Sequence, residues 1–131
     1  MLNVLLVMVG GFVGAICRFS IGEWISVVEG FPIGTLSVNL AGCFVLGWFL
    51  TMVRLRKRKM AGVTLLIGTG FIGSFTTFST FSVETIKLFQ DGNFLIALIY
   101  ILVSVFVGLL FTFFGYKLAS TFGKTDEGET I

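Results

Sequence analysis

Three stretches of this chain carry no charged residue for long enough to cross a bilayer: Ile33 to Val53, Met60 to Val83 and Gly92 to Tyr116. A helix needs roughly 20 mainly apolar residues to span the hydrocarbon core. A fourth stretch, Leu2 to about Ile25, is similarly apolar but contains Arg18 and Glu23. The apolar positions run on without the alternation of a barrel strand. Charged residues make up 12% of the chain, about half of what a soluble domain carries, so there is too little polar material for a water-facing surface.

The expectation is therefore an all-α membrane protein with four transmembrane helices, at about 2–25, 33–53, 61–88 and 93–117. They form one domain over 1–120, followed by a polar, disordered C-terminal tail at 121–131. The first helix does not read as a signal peptide, since no basic start precedes it and Gly10, Gly11 and Gly14 interrupt it. Cys17 and Cys43 fall inside proposed spans and read as free thiols. The chain has no histidine, which removes His metal ligands and a His proton relay.

The loop RLRKRK carries Arg54, Arg56, Lys57, Arg58 and Lys59; Lys117 and Lys124 follow the fourth helix. Four spans place these two regions on one side, with seven of the nine basic residues. The positive-inside rule then puts both termini and the 54–59 loop in the cytoplasm of a cell-membrane protein. Five charges between two spans read as a topology anchor and not as a nucleic-acid patch.

Polar residues inside spans are costly and point to function by default. Gly10, Gly14, Arg18 and Gly22 recur every four residues and share a helix face. Glycines at that spacing let another backbone approach. Arg18 thus faces protein as a charge near an anion path or an anchor for carbonyls, or it snorkels to the interface. Asn39 lies a third of the way into the second helix. It either clips helices together or offers its amide to an ion. Tyr100, Ser104, Gly108 and Thr112 form one face of the fourth helix, either a packing seam or a lining of donors.

The third run contains GFIGSFTTFSTFS, residues 70–82. Gly68, Gly70 and Gly73 weaken the helix there, since each glycine costs about 1 kcal/mol relative to alanine. Broken backbone at membrane depth survives only against protein or a water-filled cavity, and such breaks offer carbonyls to cations and N–H groups to anions. A break near Gly73–Thr76 would make an ion site from backbone alone. Phe78 and Phe81 share a face beyond it, and phenyl edges are electropositive. Ring edges with hydroxyl and amide donors suit a small, hard anion. A phenylalanine-rich packing helix is the alternative.

These residues resemble the Fluc family of fluoride channels, also called CrcB. The likeness covers the whole chain and rests on GGFVGAICRF, TLSVNLAGCFVLG and, above all, GFIGSFTTFSTFSVE. It implies four-helix subunits paired as an antiparallel, dual-topology-type dimer, with two fluoride pores beside the interface and a third helix broken at its motif. It further implies a structural Na⁺ at the dimer centre that is not transported, held by backbone carbonyls of Gly73 and Thr76. By the same resemblance Asn39, Phe78, Phe81, Ser79, Thr80, Tyr100 and Ser104 form the fluoride pathway and Arg18 lies at the dimer centre. Glu84 follows the motif near one pore mouth. Gly108 departs from the pattern where relatives place serine, which would shorten the hydroxyl track.

The expected function is passive, fluoride-selective export that protects the cell from fluoride. The partner in the dimer is either the same chain or, because seven of nine basic residues favour one side, a homologous subunit of opposite bias. A proton-coupled transporter would need a membrane-embedded carboxylate, and Glu23, Glu29 and Glu84 lie near predicted helix ends. A purely structural membrane protein would explain the glycine seams but not the Phe, Ser, Thr and Asn set. No nucleophile–base pair, metal cluster or phosphate loop supports an enzyme.

Overall fold

The computed structural model describes residues 1–25, 30–56 and 60–125, the last three as backbone helix only. Lys57, Arg58 and Lys59 of the basic loop, Glu29, and tail residues 126–131 lie outside the described residues, as does the side chain of Lys124.

Four helices are long and apolar enough to cross a membrane. They are α1 (Leu2–Trp24), α2 (Ile33–Leu55), α3 (the interrupted span Ala61–Gln90) and α4 (Phe94–Thr125). The expected spans are thus present, and no strand occurs among the described residues. The last helix runs past its expected end at 117 to Thr125, into the segment assigned to the tail. A run with no proline and no glycine between Tyr116 and Phe122 gives the helix no reason to stop at the first lysine.

The outward faces are apolar. Phe12, Leu109 and Phe106 are more than 60% exposed in the single chain, as lipid-facing side chains are, because lipid tails make burial of such groups unnecessary. What holds the helices together is close backbone packing. A Cβ on Gly10 would strike the Leu66 carbonyl oxygen, and one on Gly14 the Phe71 carbonyl oxygen. From the other side, a Cβ on Gly70 would lie 2.7 Å from the Val7 carbonyl oxygen. This is the glycine face expected on α1, met by Gly70 and the backbone of Leu66 and Phe71 on α3. Gly22, at the same spacing, has nothing within 4 Å. A second seam joins α2 to α4: Gly47 abuts the Thr112 carbonyl and Gly115 the Phe44 carbonyl.

The glycine-rich first half of α3 is unwound and widened into a π-helix over Thr64–Ile72. One α-turn, Gly73–Phe75, follows before the chain extends at Thr76 (ψ 157°) and Thr77 (φ −146°, ψ 122°). Helix resumes at Phe78–Gln90. The break expected near Gly73–Thr76 is therefore present, centred on Thr76–Thr77. At the far end Gly92 (φ 77°) closes the helix. Its N–H bonds the Phe89 carbonyl and Asn93 N–H bonds the Leu88 carbonyl, the paired bonds of a glycine-terminated helix. This tight reversal packs the start of α4 against the second half of α3. Leu88, Ala97 and Tyr100 are buried there, with Phe31, Leu36, Phe81 and Ile96 against them.

Candidate functional site

The site is built around the break. In a continuous helix the Thr77 N–H would return to the Gly73 carbonyl. Here it donates to Asn39 Oδ1 at 2.8 Å, and Asn39 Nδ2 donates to the Thr77 carbonyl at 2.9 Å. One side-chain amide of α2 replaces the helix as partner for both polar groups of one residue. Of the two roles open to Asn39, the structure gives it the helix clip, and one amide hydrogen remains.

Thr77 is buried and caps the resumed helix: its Oγ1 accepts from Thr80 N–H at 3.2 Å and donates to Thr80 Oγ1 at 3.0 Å. A hydroxyl at the N-cap satisfies an otherwise orphan helical donor. Most hydroxyls of the motif serve the backbone in this way. Thr76, Ser82 and Thr85 each donate to the carbonyl four residues earlier, and Ser74 donates to the Gly11 carbonyl of α1 at 2.6 Å. These bonds keep the hydroxyls themselves paired inside the membrane.

A cavity of about 360 Å³ opens between α2, the second half of α3, and α4. Asn39, Thr76, Phe78, Phe81 and Ser104 line it, with Cys43 on its wall. The rings of Phe78 and Phe81 are 5.9 Å apart at 36°. Phe78 is 80% exposed in the single chain. Amide, hydroxyl and two phenyl rings from three helices thus meet in one place.

Not every residue expected on the fluoride path lines this cavity. Successive helical residues turn by 100°, so Ser79 and Thr80 cannot share the face of Phe78 and Phe81. Thr80 instead lines a second cavity, of about 310 Å³, together with Arg18, Thr35 and Thr77. Ser79 is exposed, with its Oγ 3.3 Å from Thr77 Oγ1. Tyr100 is fully buried, and its hydroxyl donates to Glu84 Oε2 at 2.8 Å. The other carboxylate oxygen accepts from Thr35 Oγ1 at 2.7 Å. Glu84 is therefore not near a helix end: because the helix restarts at Phe78, this carboxylate sits in its middle, joined to α2 and α4. Thr35 was missed by sequence reasoning, since a threonine in the first turn of an apolar helix carries no signal of its own.

On α4, Ser104 faces the first cavity, but Gly108 packs against Cys43 Sγ (3.4 Å from an added Cβ) and Thr112 donates to its own helix at Gly108. The polar face is thus a seam with α2 at its far end and a lining at one position. Arg18 is half-buried beside the second cavity.

The break also leaves oxygen atoms. Asn39 takes the N–H that would have occupied the Gly73 carbonyl, and the extended Thr76 turns its own carbonyl off the helix axis. Among the described residues no cluster of His, Cys, Asp or Glu is placed to hold a metal. Neutral backbone oxygens are hard donors suited to a hard cation, so the residues present fit Na⁺ better than a transition metal.

A family model described as "CrcB-like protein, Camphor Resistance (CrcB)" matches residues 5–116. A relative named "Fluoride-specific ion channel FluC" from Oceanobacillus iheyensis is 49% identical over 119 residues, covering 91% of this chain and 92% of that one. Two relatives from one strain of Bacillus thuringiensis, "Fluoride-specific ion channel FluC 1" and "FluC 2", are each 44% identical. They cover 87% and 90% of this chain, and 85% and 98% of their own length.

Proposed function

The chain belongs to the CrcB-like family, and we propose on that footing that it is a passive, fluoride-selective ion channel. The observation that carries the reading is the cavity in which the Asn39 amide, the Phe78 and Phe81 rings and the Ser104 hydroxyl meet beside a broken helix. Fluoride is small and strongly hydrated, so a path for it must replace water with several close donors. Amide and hydroxyl hydrogens supply strong ones, and phenyl edges supply weak ones that larger, softer anions use no better. Hydrogen fluoride enters cells uncharged and ionises inside; a channel lets the trapped anion leave down its gradient. The chain is a multi-pass membrane protein, and catalysis has no part in this role.

The working unit in this reading is an antiparallel dimer. The 80% exposure of Phe78 and the outward position of Gly73 in the single chain support a partner at the break. Gly73 and Thr76 carbonyls from both subunits would hold Na⁺, and its charge would favour an anion nearby. Arg18 lies toward the same centre, adding positive charge. Both termini and the 54–59 loop are cytoplasmic in the favoured orientation. The partner is this chain itself or a homologous subunit of opposite charge bias; that two numbered relatives occur in one Bacillus strain supports the second.

The test is anion efflux from liposomes containing only this chain, followed with a fluoride and then a chloride electrode. Rapid fluoride loss without chloride loss and without a proton gradient is expected. Absence of fluoride loss that persists after an oppositely biased homologue is added would overturn the reading.

A further inference from the structure

We propose that Thr35, Glu84 and Tyr100 form a positioning clamp that sets the Phe81 ring, and that fluoride permeation depends on that setting. The proposal rests on the reading of Phe81 as part of the fluoride path.

A ring edge is a weak and strongly directional donor. It serves an ion only where the ring cannot swing away. Within the single chain Phe78 packs on the Phe81 ring and is otherwise 80% exposed. Phe81 is restrained further. Its ring lies 5.0 Å from that of Tyr100 at 49°. Tyr100 is fully buried, and Phe31 also packs against it edge-on, at 5.5 Å and 78°.

The phenol is also tied at its far end. Its hydroxyl donates to Glu84 Oε2, and Thr35 donates to Glu84 Oε1. Both carboxylate oxygens thus have a partner, one on each neighbouring helix. The two bonds, 2.7 and 2.8 Å long, have the ordinary length of well-formed O–H···O bonds. Glu84 and Phe81 lie three residues apart on one turn of the resumed helix. The carboxylate therefore fixes Tyr100 against the ring one turn before it. The arrangement ties three helices at the level where the cavity ring must stay put. Neither Tyr100 nor Glu84 lines that cavity, so their effect on the ion passes through Phe81.

The experiment places 4-fluorophenylalanine at position 81 alone, in the full chain in lipid, and records ¹⁹F NMR beside liposome efflux. The para-fluorine lies on the flip axis, so its signal reports swinging of the whole ring and not flips. The unsubstituted clamp should give one narrow resonance. Thr35→Val and Tyr100→Phe, which keep shape and remove one hydroxyl, should shift or split it. They should also lower fluoride efflux by roughly tenfold, the scale of one net hydrogen bond lost from an equilibrium. Thr35→Ser should restore the single resonance and the flux. An unchanged resonance in both hydroxyl-less variants overturns the clamp, whatever the flux does. A loosened ring with unchanged fluoride flux overturns its role in permeation. Absence of fluoride flux in the unmodified chain would instead count against the channel reading, while the resonance would still decide the clamp.

Discussion

Asn39 and Thr77 hold one another by two hydrogen bonds, 2.9 Å from amide to carbonyl and 2.8 Å from backbone N–H to amide oxygen. This pair makes a break in a membrane helix tolerable, because no water is present to satisfy the freed groups. Asn39→Leu leaves two buried backbone groups unpaired, which costs on the order of 1–3 kcal/mol. Lower thermal stability in detergent and loss of fluoride efflux are expected together. Full stability with Asn39→Leu would show that the break is held by something else.

Phe78 and Phe81 should separate stability from permeation. Phe78 is largely exposed in the single chain, whereas Phe81 packs on the Leu88–Ala97–Tyr100 cluster. Phe78→Ile should reduce fluoride efflux while changing single-chain stability by no more than about 0.5 kcal/mol. Phe81→Ile should lower both. Thermal unfolding and electrode traces on the same preparations check this.

The glycines of α1 are not equivalent. A side chain at Gly10 or Gly14 meets a carbonyl of α3, while one at Gly22 meets nothing. Gly14→Ala is therefore expected to reduce the yield of folded protein on size-exclusion chromatography. Gly22→Ala should fold normally and gain up to about 1 kcal/mol from helix propensity.

If Gly73 and Thr76 carbonyls hold a structural Na⁺, conduction should depend on Na⁺ without moving it. Fluoride efflux should decline in liposomes prepared and dialysed in N-methylglucamine salts and return when Na⁺ is restored. Radioactive Na⁺ should stay inside while fluoride leaves. Efflux that is indifferent to Na⁺ on both faces would rule out that ion as a required part of the channel.

Sidedness is testable at Arg56, an exposed residue just beyond α2. With Cys17 and Cys43 replaced by serine, Arg56→Cys should react with an impermeant maleimide only after the cells are opened. Labelling of about half the sites before opening and of all of them after would mean that the chain inserts both ways, and the pairing with an oppositely biased homologue would fall.

The sequence by itself determined the architecture. Apolar runs of bilayer length without strand-like alternation are satisfied by helices, so four spans follow from three uncharged runs and one that carries Arg18 and Glu23, and the positions of the glycines foretold where two of them meet. The weak point at residues 73–76 was legible too, because glycine costs helix stability wherever it lies. The resemblance carried by GFIGSFTTFSTFS brought Asn39, Phe78, Phe81 and Ser104 to one site, and tertiary structure gathers those four around one cavity. It separated Ser79 and Thr80 from them, since helical rotation sends neighbours in sequence to different faces. It also used half of the motif's six hydroxyls on backbone carbonyls. Glu84 and Thr35 were decided only in three dimensions: nothing local distinguishes a carboxylate near a helix end from one anchored between helices, because its partners are 49 and 16 residues away.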